Sequence, residues 1–322
     1  MAHLYFALIC LLFGSNFFLM SRATLAFGPM EIGFWRVASA GLVLALIWGL
    51  AARKARLRKE ELPKVLFVAL IANCYPYVAQ PLLISQGFGH SFFGMMVAFA
   101  PLLTILVSVP MLGIWPSWRQ VVGVLVGLVC IGLLMADGSS RGIEPWMLLV
   151  AVSVPLSYAV GNTYLRRYLQ HAAPTPMSTV MMAISSAALA PLAFGGFVPE
   201  GALGEPARTP TPDQWPVAVA ALATLGFLGT GGTIWMFVRL VQDRGPLFAG
   251  MVTYVVPVLA LLWGLVDGEK ITTIQLVAIG GVLSMVALVQ SAPPESGDAI
   301  VPADSHETAA DEEDEVAIAL ID

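Results

Sequence analysis

Two stretches decide how this chain is read. The first is Gly94-Met95-Met96-Val97-Ala98-Phe99-Ala100-Pro101, which runs on through Leu102–Leu112 to Gly113. The second is Gly250-Met251-Val252-Thr253-Tyr254-Val255-Val256-Pro257, which runs on to Gly268. In both, a Gly-Met pair precedes a Pro at the same spacing. In both, a closing Gly is followed seven residues on by Gln, as Gly113/Gln120 and Gly268/Gln275. Asn16 and Asn162 give a further match, and all the offsets are about 150 residues. The chain therefore repeats itself at about half its length.

Each stretch is also apolar over the length a helix needs to cross a bilayer, about 20 residues. Working outward, eight more segments of this kind are found. The ten expected spans are Leu4–Ser21, Met30–Ala52, Lys64–Ile84, Ser91–Leu112, Trp118–Ala136, Pro145–Leu165, Ser178–Val198, Trp215–Leu240, Pro246–Val266 and Thr272–Gln290. Alternating ten-residue strands of a membrane barrel do not fit runs this long and uniform. The fold expected is an all-α integral membrane protein of about ten transmembrane helices, arranged as two inverted five-helix repeats. Residues 1–138 form the first repeat, 139–291 the second, and 292–322 a tail. Because five is odd, the two halves enter the membrane in opposite directions. Transporters use this design, with solute bound near the midplane where the halves meet.

Composition agrees. Of 322 residues, 58% are apolar and only 11% charged, against about 25% charged in soluble domains. The formal charge of −5 conceals a split. The segment after Pro293 holds ten acids and no Lys or Arg, which leaves the preceding body at +5. Such a tail cannot bury enough apolar area to offset its ordering entropy and is expected to be disordered and cytoplasmic. The first run lacks a basic leader and is expected to stay as the first helix. Cys10, Cys74 and Cys130 lie singly in apolar runs, at no metal-ligand spacing.

Loop charge gives orientation. With the N-terminus inside, eleven Lys and Arg fall in cytoplasmic connections and five on the other side. Lys and Arg favour the cytoplasmic side, so both termini are expected there, in a multi-pass protein of the cell (inner) membrane. The basic cluster Arg53–Lys64 suits anionic lipid and topology rather than nucleic acid.

Polar groups within spans usually face a bundle interior. Asn73, Tyr77 and Gln80 share a helical face at steps of four and three, as do Tyr158 and Asn162 at a step of four. With Asn16, Trp235 and Tyr254 they are the candidate substrate-binding residues. Their amides and aromatic rings suit a zwitterion or amphiphile. Interhelical hydrogen bonding, or an interfacial belt for the aromatics, is the structural alternative. Pro101 and Pro257, at equivalent positions, are candidate gating kinks. Arg36, some six residues into its span, is expected to snorkel to the interface. No acid lies mid-span, which favours facilitated diffusion or exchange over proton antiport.

Phe13-Gly14-Ser15-Asn16-Phe17, then Pro29 and Trp35-Arg36, then Pro257 with Gly268-Glu269, resemble the drug/metabolite transporter superfamily, in particular its EamA-type ten-helix members. Pro101 and Gly113 fit the first half, but Ile114 stands where the family carries an acid. The resemblance covers roughly residues 4–290. It implies a central cavity, inverted symmetry, alternating access and export of amino acids or other small metabolites, with a small-molecule substrate and the lipid bilayer as the partners and no cofactor. Enzymatic readings lack residues. The four His are scattered singly, no H-E-x-x-H is present, and the only acid cluster is the tail.

Overall fold

The computed structural model describes residues 2–51, 55–113, 115–136, 145–196, 210–237, 239–240 and 252–290. Among them there is no strand. The helices are α1 (Ala2–Ala23), α2 (Pro29–Ala51), α3 (Lys59–Ser85), α4 (His90–Ala98 continued by Ala100–Leu112), α5 (Trp118–Ala136), α6 (Pro145–Tyr168), α7 (Pro174–Phe194), α8 (Gln214–Phe237), α9 (Val252–Val266) and α10 (Thr273–Gln290). Each coincides with an expected span to within a few residues. Seven are long and apolar enough to cross a membrane over their described residues, and α5, α9 and α10 contribute shorter apolar stretches. The ninth span, expected from Pro246, is described only from Val252. Residues 197–209, between α7 and α8, fall outside the described residues. The acidic tail, residues 292–322, does so entirely.

The repeated Gly and Gln residues are the punctuation of two equivalent turns. Gly113 ends α4 at φ +70° and Gly268 follows α9 at φ +77°. This is left-handed backbone, which costs a residue with a Cβ about 1–2 kcal/mol. At the start of the next helix, Gln120 Oε1 accepts a hydrogen bond from the Ser117 N–H (2.8 Å) and Gln275 Oε1 accepts one from the Thr272 N–H (3.1 Å). A side chain in the first turn that satisfies an N–H before it is the reciprocal half of a capping box. Gly268→Ala is expected to destabilise the protein by about 1 kcal/mol, read as a lowered unfolding temperature in detergent. An unchanged midpoint would mean that the turn rearranges.

Irregularities fall inside the helices. α4 breaks at Phe99, because Pro101 has no N–H to offer the carbonyl one turn back. Wide π turns occupy Ala69–Cys74 in α3 and Thr224–Gly232 in α8, which are equivalent positions in the two halves.

Packing between halves is symmetric under exchange of the first five helices with the second five. α2 packs on its counterpart α7, and α4 on its counterpart α9. The contact of α2 with α8 is matched by that of α7 with α3, α4 with α6 by α9 with α1, and α3 with α6 by α8 with α1. Glycines allow the closest approaches. A Cβ on Gly94 would fall on the Ala260 side chain, and one on Gly161 would fall on Ala72. Leu50, Leu149 and Val266 are each at least 70% exposed, while Asn16, Arg36, Asn73, Gln80, Ser185, Thr230 and Thr233 are buried. Apolar outside and polar inside is the distribution a bilayer imposes.

Candidate functional site

A cavity of about 440 Å³ lies between the two halves, within the range of small-molecule sites. α1 contributes Phe13, Asn16 and Phe17, and α2 contributes Arg36. α3 gives Tyr77 and Gln80, α4 gives Val97, Ala100, Pro101 and Thr104, and α6 gives Tyr158 and Asn162. α8 and α9 close it with Ile234, Phe237 and Val256. Five of the expected binding residues (Asn16, Tyr77, Gln80, Tyr158 and Asn162) thus meet on one wall system, with Pro101 beside them.

The others lie elsewhere. Asn73 is buried but does not line the cavity, and its Nδ2 has no partner among the described residues. It sits inside the π turn Ala69–Cys74, where each residue rotates less about the axis than in an α-helix. The shared face assumed for Asn73, Tyr77 and Gln80 therefore fails at Asn73. Trp235 stands edge-on to Tyr5, ring centroids 6.0 Å apart, with the Arg239 guanidinium 5.9 Å over its ring. Tyr254 belongs to α9, but its side chain lies outside the described residues. Pro257 is buried against Gly94 rather than at the cavity.

The wall is organised by hydrogen bonds. Gln80 Nε2 donates to the Tyr158 hydroxyl at 3.4 Å and ties α3 to α6. Asn16 Nδ2 donates to the Gly229 carbonyl at 3.4 Å, and its Oδ1 has no partner among the described residues. Gly229 and Thr230 both belong to the π turn of α8, whose geometry frees carbonyls that an α-helix would use internally.

Arg36 departs from expectation. It is 4% exposed and does not snorkel. Its Nε donates to Thr230 Oγ1 at 2.9 Å, and Thr230 in turn donates to the Leu225 carbonyl at 2.9 Å. Its guanidinium carbon stands 4.1 Å over the Tyr77 ring. Nη1 has no partner among the described residues. The sequence signal was the Trp35-Arg36 pair itself, but nothing local reveals a partner 194 residues away.

One end of the bundle is fastened. Trp263 of α9 stacks on Phe18 of α1 at 4.4 Å and donates through Nε1 to Ser15 Oγ at 2.9 Å. Arg22 pairs with Asp267 just beyond. The cavity begins directly beside this fastening, where Asn16 and Phe17 line it, and continues one turn along α1 to Phe13. A second groove, between α2 and α8, is lined almost wholly by apolar side chains such as Phe27, Trp35 and Leu42 and offers little to orient a solute.

Comparison with known proteins follows the same lines. The model of the EamA-like transporter family matches residues 1–136 and 145–290. The "Uncharacterized inner membrane transporter YedA" of Escherichia coli K12 is 25% identical over 288 residues, 87% of each chain. The protein of the same name from Escherichia coli O157:H7 matches equally. A solved crystal structure superposes with a TM-score of 0.60 at 18% identity, covering 89% of this chain and 96% of the other. At that identity the likeness bears on fold alone.

Proposed function

This chain belongs to the EamA-like transporter family, and on that premise we propose that it moves small organic solutes, such as amino acids or related metabolites, outward across the inner membrane by alternating access. The observation that carries this reading is the cavity walled by α1–α4 of one half and α6, α8 and α9 of the other. Its polar groups bond helix to helix only in part, because Asn16 Oδ1 and Arg36 Nη1 keep no partner among the described residues, and polar groups inside a span mark solute pathways.

The fastened end beside the cavity suits one limiting state of such a cycle. With both termini cytoplasmic, as loop charge indicates, the Phe18–Trp263 stack and the Arg22–Asp267 pair close the outer mouth. Reorientation then requires α1 to part from α9. Pro101 and Pro257 lie where α4 and α9 must bend, and Pro101 already interrupts α4.

The test is counterflow in proteoliposomes, with a panel of labelled amino acids and small metabolites. Asn162 faces the cavity from α6 and is solvent-exposed there. Loss of one solute hydrogen bond, about 1.4 kcal/mol, should reduce uptake about tenfold in Asn162→Ala. Saturable uptake that the variant loses supports the reading. Folded protein that exchanges nothing in the panel removes it.

A further inference from the structure

Building on the carrier reading above, we propose that Arg36 is the anion-binding residue of the cavity and that the transported solute presents a carboxylate to it. A charged side chain within a membrane span is expensive unless it is paired. Arg36 is buried, yet among the described residues no carboxylate lies within ion-pair distance of it. What surrounds it is neutral. Thr230 takes Nε and the Tyr77 ring covers one face. These contacts hold the guanidinium in place without cancelling its charge, and Nη1, itself covered, is left without a partner in a side chain that lines the cavity.

The missing component is therefore a negative charge, supplied by the cargo. A guanidinium offers parallel N–H groups that match the two oxygens of a carboxylate. With one cation and otherwise neutral walls, the site suits a monoanion better than a doubly charged phosphate. The same cavity holds an unpaired acceptor, Asn16 Oδ1. A solute bearing both a carboxylate and an N–H or O–H donor satisfies both orphan groups at once. A solute without the anion leaves the cation buried and unpaired.

Thermal unfolding of the purified full chain in detergent tests this with three probes of one carbon skeleton. L-leucine carries both groups, 4-methylpentanoate only the carboxylate, and 3-methylbutylamine only the amine. Both acids are expected to raise the midpoint at millimolar concentration, with leucine the more effective, and the amine to leave it unchanged. Arg36→Gln should abolish the shift, while Arg36→Lys, which keeps the charge but not the fork, should retain a reduced one. The ligand-free midpoint of Arg36→Gln should lie above that of wild type, because the unpaired charge is gone. A purely structural arginine would lower it.

The proposal is overturned by equal shifts from the amine and the acids, by an acid shift that survives in Arg36→Gln, or by no shift with any probe. Counterflow of labelled leucine separates the two readings. Acid-dependent stabilisation without counterflow keeps the Arg36 site and removes the carrier. Counterflow indifferent to Arg36→Gln does the reverse.

Discussion

Gly94→Ala is expected to destabilise the protein by about 1–3 kcal/mol, the usual cost of forcing a carbon into a filled core. The added Cβ would lie far inside contact distance of the Ala260 Cβ, and 3.3 Å from the Pro257 Cα. Backbone cannot yield as a flexible side-chain tip can. The contact joins α4 to α9, a pair related by the internal symmetry, so the damage falls on the seam between halves. Ala260→Gly removes the obstructing methyl. Alone it should cost up to about 1 kcal/mol through lost packing and added chain freedom. In the Gly94→Ala background it should instead restore stability. Unfolding midpoints of the four proteins give the coupling directly. Strict additivity would show that the seam relaxes and that close approach is not what Gly94 provides.

Tyr77→Ala should be more damaging still, by about 3–5 kcal/mol on the scale of buried aromatic truncations. The ring is 8% exposed and packs among Val37, Ala40 and Met182. It also covers the Arg36 guanidinium, a contact worth about 2 kcal/mol when desolvated. Removing it opens a void beside a buried charge. Tyr77→Phe keeps the face, and the Tyr77 hydroxyl makes no hydrogen bond to another described residue, so this variant should stay within about 0.5 kcal/mol of wild type. The same two variants should separate in transport, with Tyr77→Phe active and Tyr77→Ala inactive. If Tyr77→Ala is as stable as wild type, Arg36 is held by Thr230 alone and the Tyr77 ring contributes nothing to the cavity wall.

The ten spans were legible because a bilayer demands long apolar runs and little else, and because each helix end carries its own signal. Gly113, Gly268, Gln120 and Gln275 are local devices, and they recur because each half needs the same turn. The interior was legible only in part. Tyr77, Gln80, Tyr158 and Asn162 lie on regular α-helix, where steps of three and four do set a shared face. Asn73 lies in a π turn that no residue pattern announced, and there the counting rule loses phase. Arg36 was misjudged for a different reason. Depth along one helix says how far a charge must reach for water, but not that Thr230 and Tyr77 wait nearer. Those partners come from α8 and α3, and only assembly of both halves brings them together.

The paired π turns of α3 and α8 put the same fault into each half of the bundle. Wide turns of this kind are rare and fall mostly at functional sites. The two halves use the fault differently. The Ala69 carbonyl of the α3 turn accepts a hydrogen bond from Ser185 of α7, which ties neighbouring helices together. Gly229 and Thr230 of the α8 turn instead hold Asn16 and Arg36. One irregularity thus acts as a fastening in the first half and as a socket for the cavity wall in the second.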